Sequence, residues 1–377
     1  MCGIIGYTGP KRAARILLEG LKRLEYRGYD SAGIAVDEDQ EKTGAVFSVY
    51  KKVGKIAQLR DVVPRELPGT CGIGHTRWAT HGGVTDANAH PHCDASGRIA
   101  IVHNGIIENY TTLREMLVKE GFFFVSETDS EVIAQLIAYL YESDLETAVK
   151  HAVSYLKGTY GIACVHKAEP GRIVGARNGS PLVLGVGEGE MFLASDVTAM
   201  LAHTRRVVYL HDGEIVSLFP HEFEISDAED RSVVPKISHI DWEISAIEKE
   251  GFSCYMEKEI FEQPQSIERA LGGRLDAETG TAKLGGLNLS RKELLAIDQV
   301  QIIAAGTSYH AGLTATYLME QVARIPAQAH LASELRYKNP IVSPGMLYFA
   351  VSQSGETADT LYAMREVQRR GGTVLGI

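Results

Sequence analysis

The sequence predicts a layered α+β domain followed by a parallel α/β sheet, and three observations carry that division. Up to about residue 218, glycine-bounded runs rich in β-branched residues alternate with a few amphipathic stretches. The strand-like runs fall into two blocks with helical stretches between them, the pattern of sheets packed on each other under helices. From about Val300 the order becomes strand, glycine turn, helix, and then repeats, which requires parallel strands joined by crossovers.

In the first block GIIGY, GIAVD, VFSVYKK, CGIGH and RIAIVHNG read as strands. KRAARILLEGLKRLEYRG and DSEVIAQLIAYLYESD carry helical apolar spacing, and ENYTTLREMLVKEG ends on a glycine, as helix C-termini often do. The second block is GTYGIACVHK, RIVGARN, PLVLGVG, MFLASD and RVVYLHDGEIVSL, whose short turns predict antiparallel pairing of consecutive strands. From about Phe219 to Phe252 the chain is acidic, aperiodic and broken by prolines, the reading for a domain end and a connector. YMEKEIFEQPQSIERAL reads as helix, interrupted at Pro264. VQIIAAGTSYHAGLTATYLMEQVA and MLYFAVSQSGETADTLYAMREVQRRGG share one strand–turn–helix design, and TVLGI begins a third strand. Three strands cannot cover both faces of such a sheet, so the expectation is an incomplete second domain and a truncated C-terminus. The expected divisions are residues 2–240, a linker and helical lead-in over 241–284, and the parallel-sheet part over 285–377.

Composition narrows the function classes. Of 377 residues, 45% are hydrophobic and 23% charged, the balance of a globular chain that buries a core. A net charge of −10 argues against nucleic acid or an anionic membrane as partner, since both select basic faces. Five cysteines (Cys2, Cys71, Cys93, Cys164, Cys254) lack any CxxC spacing, which points to a reducing, cytoplasmic setting rather than a disulfide framework. No apolar run reaches the length of a membrane span, and the first residues lack a signal-peptide layout.

Several short motifs carry candidate chemistry, each beside a plainer reading. Cys2 follows the initiator methionine and precedes Gly3, whose bare backbone would allow close approach of a ligand. Removing Met1 would put a thiol and a free α-amine on one residue, so that the amine could take the thiol's proton. HNGIIEN offers Asn104 and Gly105 as an oxyanion hole, or merely a turn that ends a strand. HTRWATHG offers Arg77 for a carboxylate, or a surface arginine. SETDSE places Asp129 before a helix, as an N-cap or as the partner of a substrate ammonium. Together, Arg77 and Asp129 describe an amino-acid site. NAHPHCD puts His90, His92 and Cys93 close together, but without the second ligand pair that zinc spacing requires, so no metal is expected. SQSGET and GTSYHAG end two strands and precede helices, which suits a phosphate at the crevice of a parallel sheet.

As a set, MCGIIGY, LEYRGYDSAG, HTRWATHG, NAHPH, VHNGIIEN, SETDSE, CYMEKEIFEQP, AAGTSYHAG, ASELRY and SQSGETADT resemble the class II glutamine amidotransferases with an N-terminal nucleophile, in the branch that carries sugar-isomerase (SIS) subdomains. The resemblance implies a four-layer αββα domain of the N-terminal-nucleophile hydrolase type and two SIS subdomains, of which only the first is present. It implies that Cys2 attacks the glutamine amide while Asn104 and Gly105 stabilise the oxyanion. Arg77, Thr80, His81 and Asp129 would bind glutamine, and Arg27 and Trp78 would serve site closure and ammonia transfer. Thr307, Ser308, Ser352, Gln353, Ser354 and Thr357 would seat a sugar phosphate. The implied reaction passes ammonia from glutamine to fructose 6-phosphate, giving glucosamine 6-phosphate and glutamate, with no cofactor and in a homodimer joined through SIS domains. The segments that would isomerise the sugar lie beyond residue 377, so the expectation for this chain is glutamine hydrolysis alone. Two rival readings weigh less. A phosphoribosylamine-forming amidotransferase would need an acidic diphosphate loop where SQSGET stands. A sugar-phosphate sensor with a vestigial front half would have lost Cys2, Arg77, Asn104 or Asp129.

Overall fold

Side-chain alternation along the first strand, β1 (Gly3–Thr8), already sets two layers: Ile5 and Tyr7 join one apolar cluster and Ile4 another. The computed structural model describes residues 2–38, 46–79, 81–227, 229, 231–241, 251–276, 278, 280–282, 284, 287, 289–353, 355 and 357–377. It divides into two units, Met1–Lys258 and Glu259–Ile377.

In the first unit β1 leads into helix α1 (Ala13–Leu24), strands β2 (Ser31–Val36) and β3 (Ser48–Val53), helix α2 (Ile56–Val62), and strands β4 (Cys71–Arg77), β5 (His92–Cys93) and β6 (Ile99–Ile107). Helices α3 (Tyr110–Lys119), α4 (Asp129–Leu140) and α5 (Leu145–Tyr155) follow. The remaining strands are β7 (Gly158–His166), β8 (Ile173–Asn178), β9 (Val183–Val186), β10 (Met191–Ala194), β11 (Arg206–Tyr209), β12 (Ile215–Leu218), β13 (Phe223–Ser226) and β14 (Ser238–His239). They form an eight-stranded sheet, β14-β11-β9-β10-β1-β4-β2-β3, and a six-stranded sheet, β13-β12-β8-β7-β6-β5, antiparallel throughout.

Three apolar clusters separate four layers. Helices α1 and α2 pack Ile16, Leu17, Leu21, Leu24, Ile56 and Leu59 onto Ile5, Ile34 and Val36 of the eight-stranded sheet. The opposite face of that sheet, with Ile4, Ala35 and Ile73, meets Ala100, Val102, Ala163 and Val165 of the six-stranded sheet. The outer face of the second sheet, with Ile99, Ile101, Ile162 and Cys164, lies under Val132, Ile133, Leu136 and Ile137 of α4. This is the αββα arrangement. Each fully buried Leu or Ile contributes roughly 1.5–3 kcal/mol, so a charge at Leu21 would cost more than the favourable helix propensity of α1 returns.

Three expectations for this unit need correction. RVVYLHDGEIVSL is not a hairpin: β11 lies in the eight-stranded sheet and β12 in the six-stranded one, so the Asp-Gly turn carries the chain between sheets. Both strands are buried on the inner layer, where each finds a different neighbour. The supposed connector after Phe219 supplies β13 and β14, edge strands of both sheets, which need apolar residues on one side only. Helices α2 and α5 are additions to the expected elements: α2 is only seven residues long, while α5, capped by Asp144, lies in a stretch with few large apolar residues.

In the second unit helix α6 (Tyr255–Leu271) runs through Pro264 without ending, since a proline removes one helix bond but the flanking turns can still close. The unit division falls within this helix, inside the stretch read as a lead-in. A short hairpin, β15 (Leu275–Asp276) and β16 (Thr281–Ala282), precedes α7 (Arg291–Leu295), which opens on a Ser290–Glu293 capping box. Then come β17 (Gln299–Ala304), α8 (Gly306–Leu318), β18 (Ala327–Leu331), α9 (Ala332–Tyr337), β19 (Met346–Val351), α10 (Ala358–Arg369) and β20 (Thr373–Gly376). The sheet is parallel in the order β18-β17-β19-β20, four strands where three were expected. AQAHL carries little strand signal because it is polar, and its His330 is satisfied by Gln301 of β17 at 2.6 Å. The chain winds from β17 to one side and then returns to the other, so the topological switch point lies between β17 and β19.

Candidate active site

Cys2 stands immediately before β1, at the end where β1 lies beside the close of β4. Its thiol is held by the loop that leaves β4: Trp78 N donates to Sγ at 3.2 Å, and Sγ lies 3.5 Å from Trp78 O. Burial pushes the thiol's pKa up, while the Trp78 N–H and the Arg77 charge act the other way. The thiol therefore needs a base to become a nucleophile. Packing also requires Gly3, because a Cβ there would sit 2.8 Å from both Leu24 Cβ and Thr76 Oγ1.

Asn104 and Gly105 come from β6. Asn104 Nδ2 donates to the Cys2 carbonyl at 3.1 Å, which places the amide beside the nucleophile's own backbone. Asn104 Oδ1 faces His75 Nε2 at 3.0 Å. Gly105 has φ +135°, and a Cβ would fall 2.0 Å from Thr159 O on β7, so only glycine fits.

Arg77 ends β4 and is buried, with its guanidinium turned into the loop that follows. Nη1 donates to Gly83 O at 3.0 Å, and Nη2 donates to the carbonyls of His81 and Gly82. Asn88 and Glu127 fasten that loop: Asn88 Nδ2 reaches Gly83 O and Glu127 Oε2, each at 3.1 Å, and Glu127 N donates to Asn88 Oδ1 at 2.9 Å. Asp30 holds the start of the loop, taking the Ala79 N–H at 2.8 Å. Thr80 lies outside the described residues. His81 is half-buried, its ring edge-on to Tyr110 at 5.9 Å.

Asp129 is the first residue of α4, not its cap. Thr128 is the N-cap and accepts from Glu131 N at 3.3 Å. The Asp129 carboxylate accepts Ile107 N–H from β6 at 2.8 Å, which carries it toward the strand that bears Asn104. Arg27 is buried, donating to Ser195 O at 2.8 Å and lying 3.7 Å from the Asp196 carboxylate. Trp78 is 45% exposed, its ring edge-on to Tyr29 at 5.4 Å. The structure thus gathers Cys2, Arg77, Trp78, Asn104 and Gly105 around the meeting ends of β1, β4 and β6.

Beneath them lies a cluster of four histidines, of which the sequence groups only His90 and His92. His75 and His90 stack at 4.0 Å, and His90 meets His92 edge-on at 4.6 Å. His103 Nδ1 pairs with Ser130 Oγ at 2.9 Å, and His92 Nε2 with Thr128 Oγ1 at 3.1 Å. Burial lowers the pKa of all four, that of His75 to about 3, so they are neutral at pH 7. Among the described residues no group of three or more His, Cys, Asp or Glu is arranged to hold a metal. For the other two the available signal was context: His75 and His103 sit within the mostly apolar or glycine runs of strands buried over nearly their whole length.

In the second unit the two Gly/Ser-rich turns follow β17 and β19, which pair directly. Thr307 and Ser308 fall in the first turn of α8. Ser352 Oγ lies 3.1 Å from Thr357 Oγ1 and accepts Gly355 N at 3.2 Å, while Gln353 is exposed. Thr357 stands at the N-cap position of α10. Ser354 lies outside the described residues. Both turns therefore open on the switch point of the sheet, where an anion would meet two helix N-termini.

Comparison with known proteins agrees with this division. The glutamine amidotransferase domain family matches residues 75–202, and the SIS domain family matches residues 293–377. The chain is 50% identical over 378 residues to the glutamine–fructose-6-phosphate aminotransferase (isomerizing) of Thermus thermophilus and 49% identical over 379 residues to that of Symbiobacterium thermophilum. Each alignment takes in 100% of this chain and 61% of the relative, so the chain spans about three fifths of the curated relatives' length. Among solved structures, the glutamine phosphoribosylpyrophosphate amidotransferase of B. subtilis matches with a TM-score of 0.50 at 20% identity, over 100% of this chain and 81% of that one, a likeness of fold. Among the described residues no helix is long and apolar enough to cross a membrane. The chain thus carries a match to the glutamine amidotransferase domain ahead of a match to the SIS domain, and along its whole length it is near 50% identical to glutamine–fructose-6-phosphate aminotransferases.

Proposed function

We propose that the first unit hydrolyses glutamine through Cys2 and that the second forms part of a seat for fructose 6-phosphate. The observation that carries the reading is the Asn104 amide at the Cys2 backbone, beside a thiol within reach of a backbone N–H. Once Met1 is removed, the α-amine of Cys2 takes the thiol proton and the sulfur attacks the side-chain carbonyl carbon of glutamine. Asn104 Nδ2 and the Gly105 N–H receive the oxyanion. The C–N bond then breaks, the proton passes to the leaving nitrogen, and ammonia departs from a thioester. Water cleaves the thioester, returning the thiol and releasing glutamate. The Arg77 fork and the Asp129 carboxylate hold the substrate's carboxylate and ammonium, with Thr80 and His81 beside them. Arg27 and Trp78 belong to closure and ammonia transfer.

In the whole protein the ammonia would aminate fructose 6-phosphate to glucosamine 6-phosphate, without a cofactor. Thr307, Ser308, Ser352, Gln353, Ser354 and Thr357 would hold the phosphate end; the paired turns at β17 and β19 support this. The domain limits remain 2–240 and 285–377, with a lead-in over 241–284. A homodimer joined through SIS domains and a cytoplasmic setting complete the reading, the second supported by five scattered cysteines without CxxC spacing. The sensor alternative is disfavoured because Cys2, Arg77, Asn104 and Asp129 are all present.

The test is release of glutamate from glutamine by the purified chain. Cys2→Ala should lower it by about 10³-fold or more, in line with loss of a covalent nucleophile, while circular dichroism stays native. Unchanged release from that variant would end the proposal.

A further inference from the structure

We propose that His75 is the positioning residue for the oxyanion hole: its Nε2–H dictates which end of the Asn104 amide faces Cys2. This rests on the glutaminase reading given above, and it adds a residue to which that reading assigns no part.

His75 Nε2 lies 3.1 Å from the backbone carbonyl of His103 and 3.0 Å from the side-chain oxygen of Asn104. A backbone carbonyl can only accept, so Nε2 must carry the hydrogen. A ring N–H in turn requires an acceptor from Asn104, which sets Oδ1 toward His75 and leaves Nδ2 to point at Cys2. The opposite tautomer would set a bare nitrogen against the His103 carbonyl oxygen. It would also bury an N–H at Nδ1, which has no hydrogen-bond partner among the described residues. A flipped Asn104 would turn its oxygen on the Cys2 carbonyl and supply no donor to an oxyanion.

The remaining surroundings keep this arrangement from drifting. His75 is fully buried in β4 and stacked on His90 at 4.0 Å, which fixes the ring plane. The groups facing it are His90, His103, Asn104 and Arg77; the first two are neutral, and the arginine further opposes a second proton. A neutral Nε2–H ring is thus held across the working pH range of a thiol catalyst, and the amide donor keeps one orientation before substrate arrives. Such preorganisation is what an oxyanion hole needs.

The experiment compares the unmodified chain with His75→Leu, His75→Gln, Asn104→Ala and the His75→Leu/Asn104→Ala double variant. Glutamine hydrolysis gives kcat and KM, and the rate at which iodoacetamide alkylates Cys2, read on the N-terminal peptide because Cys254 is also exposed, reports access to that thiol and folding without using the hole. His75→Leu should lower kcat by about 30-fold or more, with KM and the alkylation rate within about threefold. His75→Gln retains a donor near the Nε2 position and should recover most of the rate. The double variant should be no slower than Asn104→Ala alone, because both substitutions remove the same donor. Nitrogen-15 spectra of histidine-labelled, unmodified chain should show His75 protonated on Nε2 and bare on Nδ1. A His75→Leu enzyme with kcat within threefold, or an Nδ1–H tautomer, would overturn the proposal. So would parallel losses in kcat and alkylation rate, the mark of a merely structural histidine. If His75→Leu fails to fold, His75→Gln and the tautomer decide. If the unmodified chain releases no glutamate, the glutaminase reading falls instead, and the spectra, which need no turnover, tell the two failures apart.

Discussion

The carboxylate of Asp129 accepts the backbone N–H of Ile107 at 2.8 Å, joining the first residue of α4 to the strand that presents Asn104 and Gly105. The carboxylate thus stands at a helix N-terminus beside the oxyanion-hole strand, where the proposed site would bring a substrate ammonium to it. The hydrogen bond to Ile107 is kept by an amide, but the charge is not. Asp129→Asn should therefore leave the melting temperature nearly unchanged and raise KM for glutamine by about 10–100-fold, the loss of one charge-assisted contact. Steady-state kinetics with a thermal melt decide. A lowered melting temperature with an unchanged KM would make Asp129 a structural residue.

Much of this site was legible because its residues sit in short motifs at strand ends, where the type of side chain suggests the chemistry. Cys2, Arg77, Asn104 and Asp129 were nameable that way. The supports were not. Asn88 and Glu127 fasten the Arg77 loop across 39 positions of sequence, and nothing local in either residue says so. His75 looked like part of a strand because it is one. In the fold, the β11–β12 turn has the composition of a hairpin, and only the burial of both strands against different neighbours sends them to separate sheets. The strands β1, β2 and β6, in contrast, were readable as glycine-bounded apolar runs, but because both faces are buried only the fold shows which side chains go to which layer.

The buried histidines make the first unit sensitive to acid. His75, His90, His92 and His103 have folded pKa values below the ordinary 6.5, because burial opposes the charged form. The unfolded chain takes up protons from pH 6.5 downward, and the folded chain does not until far lower, near pH 3 for His75. Their contribution is therefore fully present above pH 6.5 and is lost as the pH falls below it, by about 1.4 kcal/mol per pH unit for each histidine that stays neutral. Urea midpoints should fall steeply between pH 6.5 and 5. A midpoint that holds constant over that range would show that the histidines ionise in place.

The two sheets are also tied by a buried ion pair. Lys167 Nζ, just past β7, lies 2.6 Å from Asp37 Oδ1, just past β2, with side-chain exposures of 6% and 3%. The backbone N–H groups of the same residues are anchored on Arg98 O and Cys71 O, and the ammonium stands 5.2 Å from the Phe47 ring centre. At this burial a charge left alone is costly, whereas the pair as a whole gives little net stability. Lys167→Met or Asp37→Leu should each cost about 3–5 kcal/mol. The double variant Lys167→Met/Asp37→Leu should cost well under the sum, because no charge is then stranded. Urea unfolding of the three variants at pH 7.5 measures this directly. Additive losses would mean that the two side chains act separately, through packing, and that the pair does not couple the sheets.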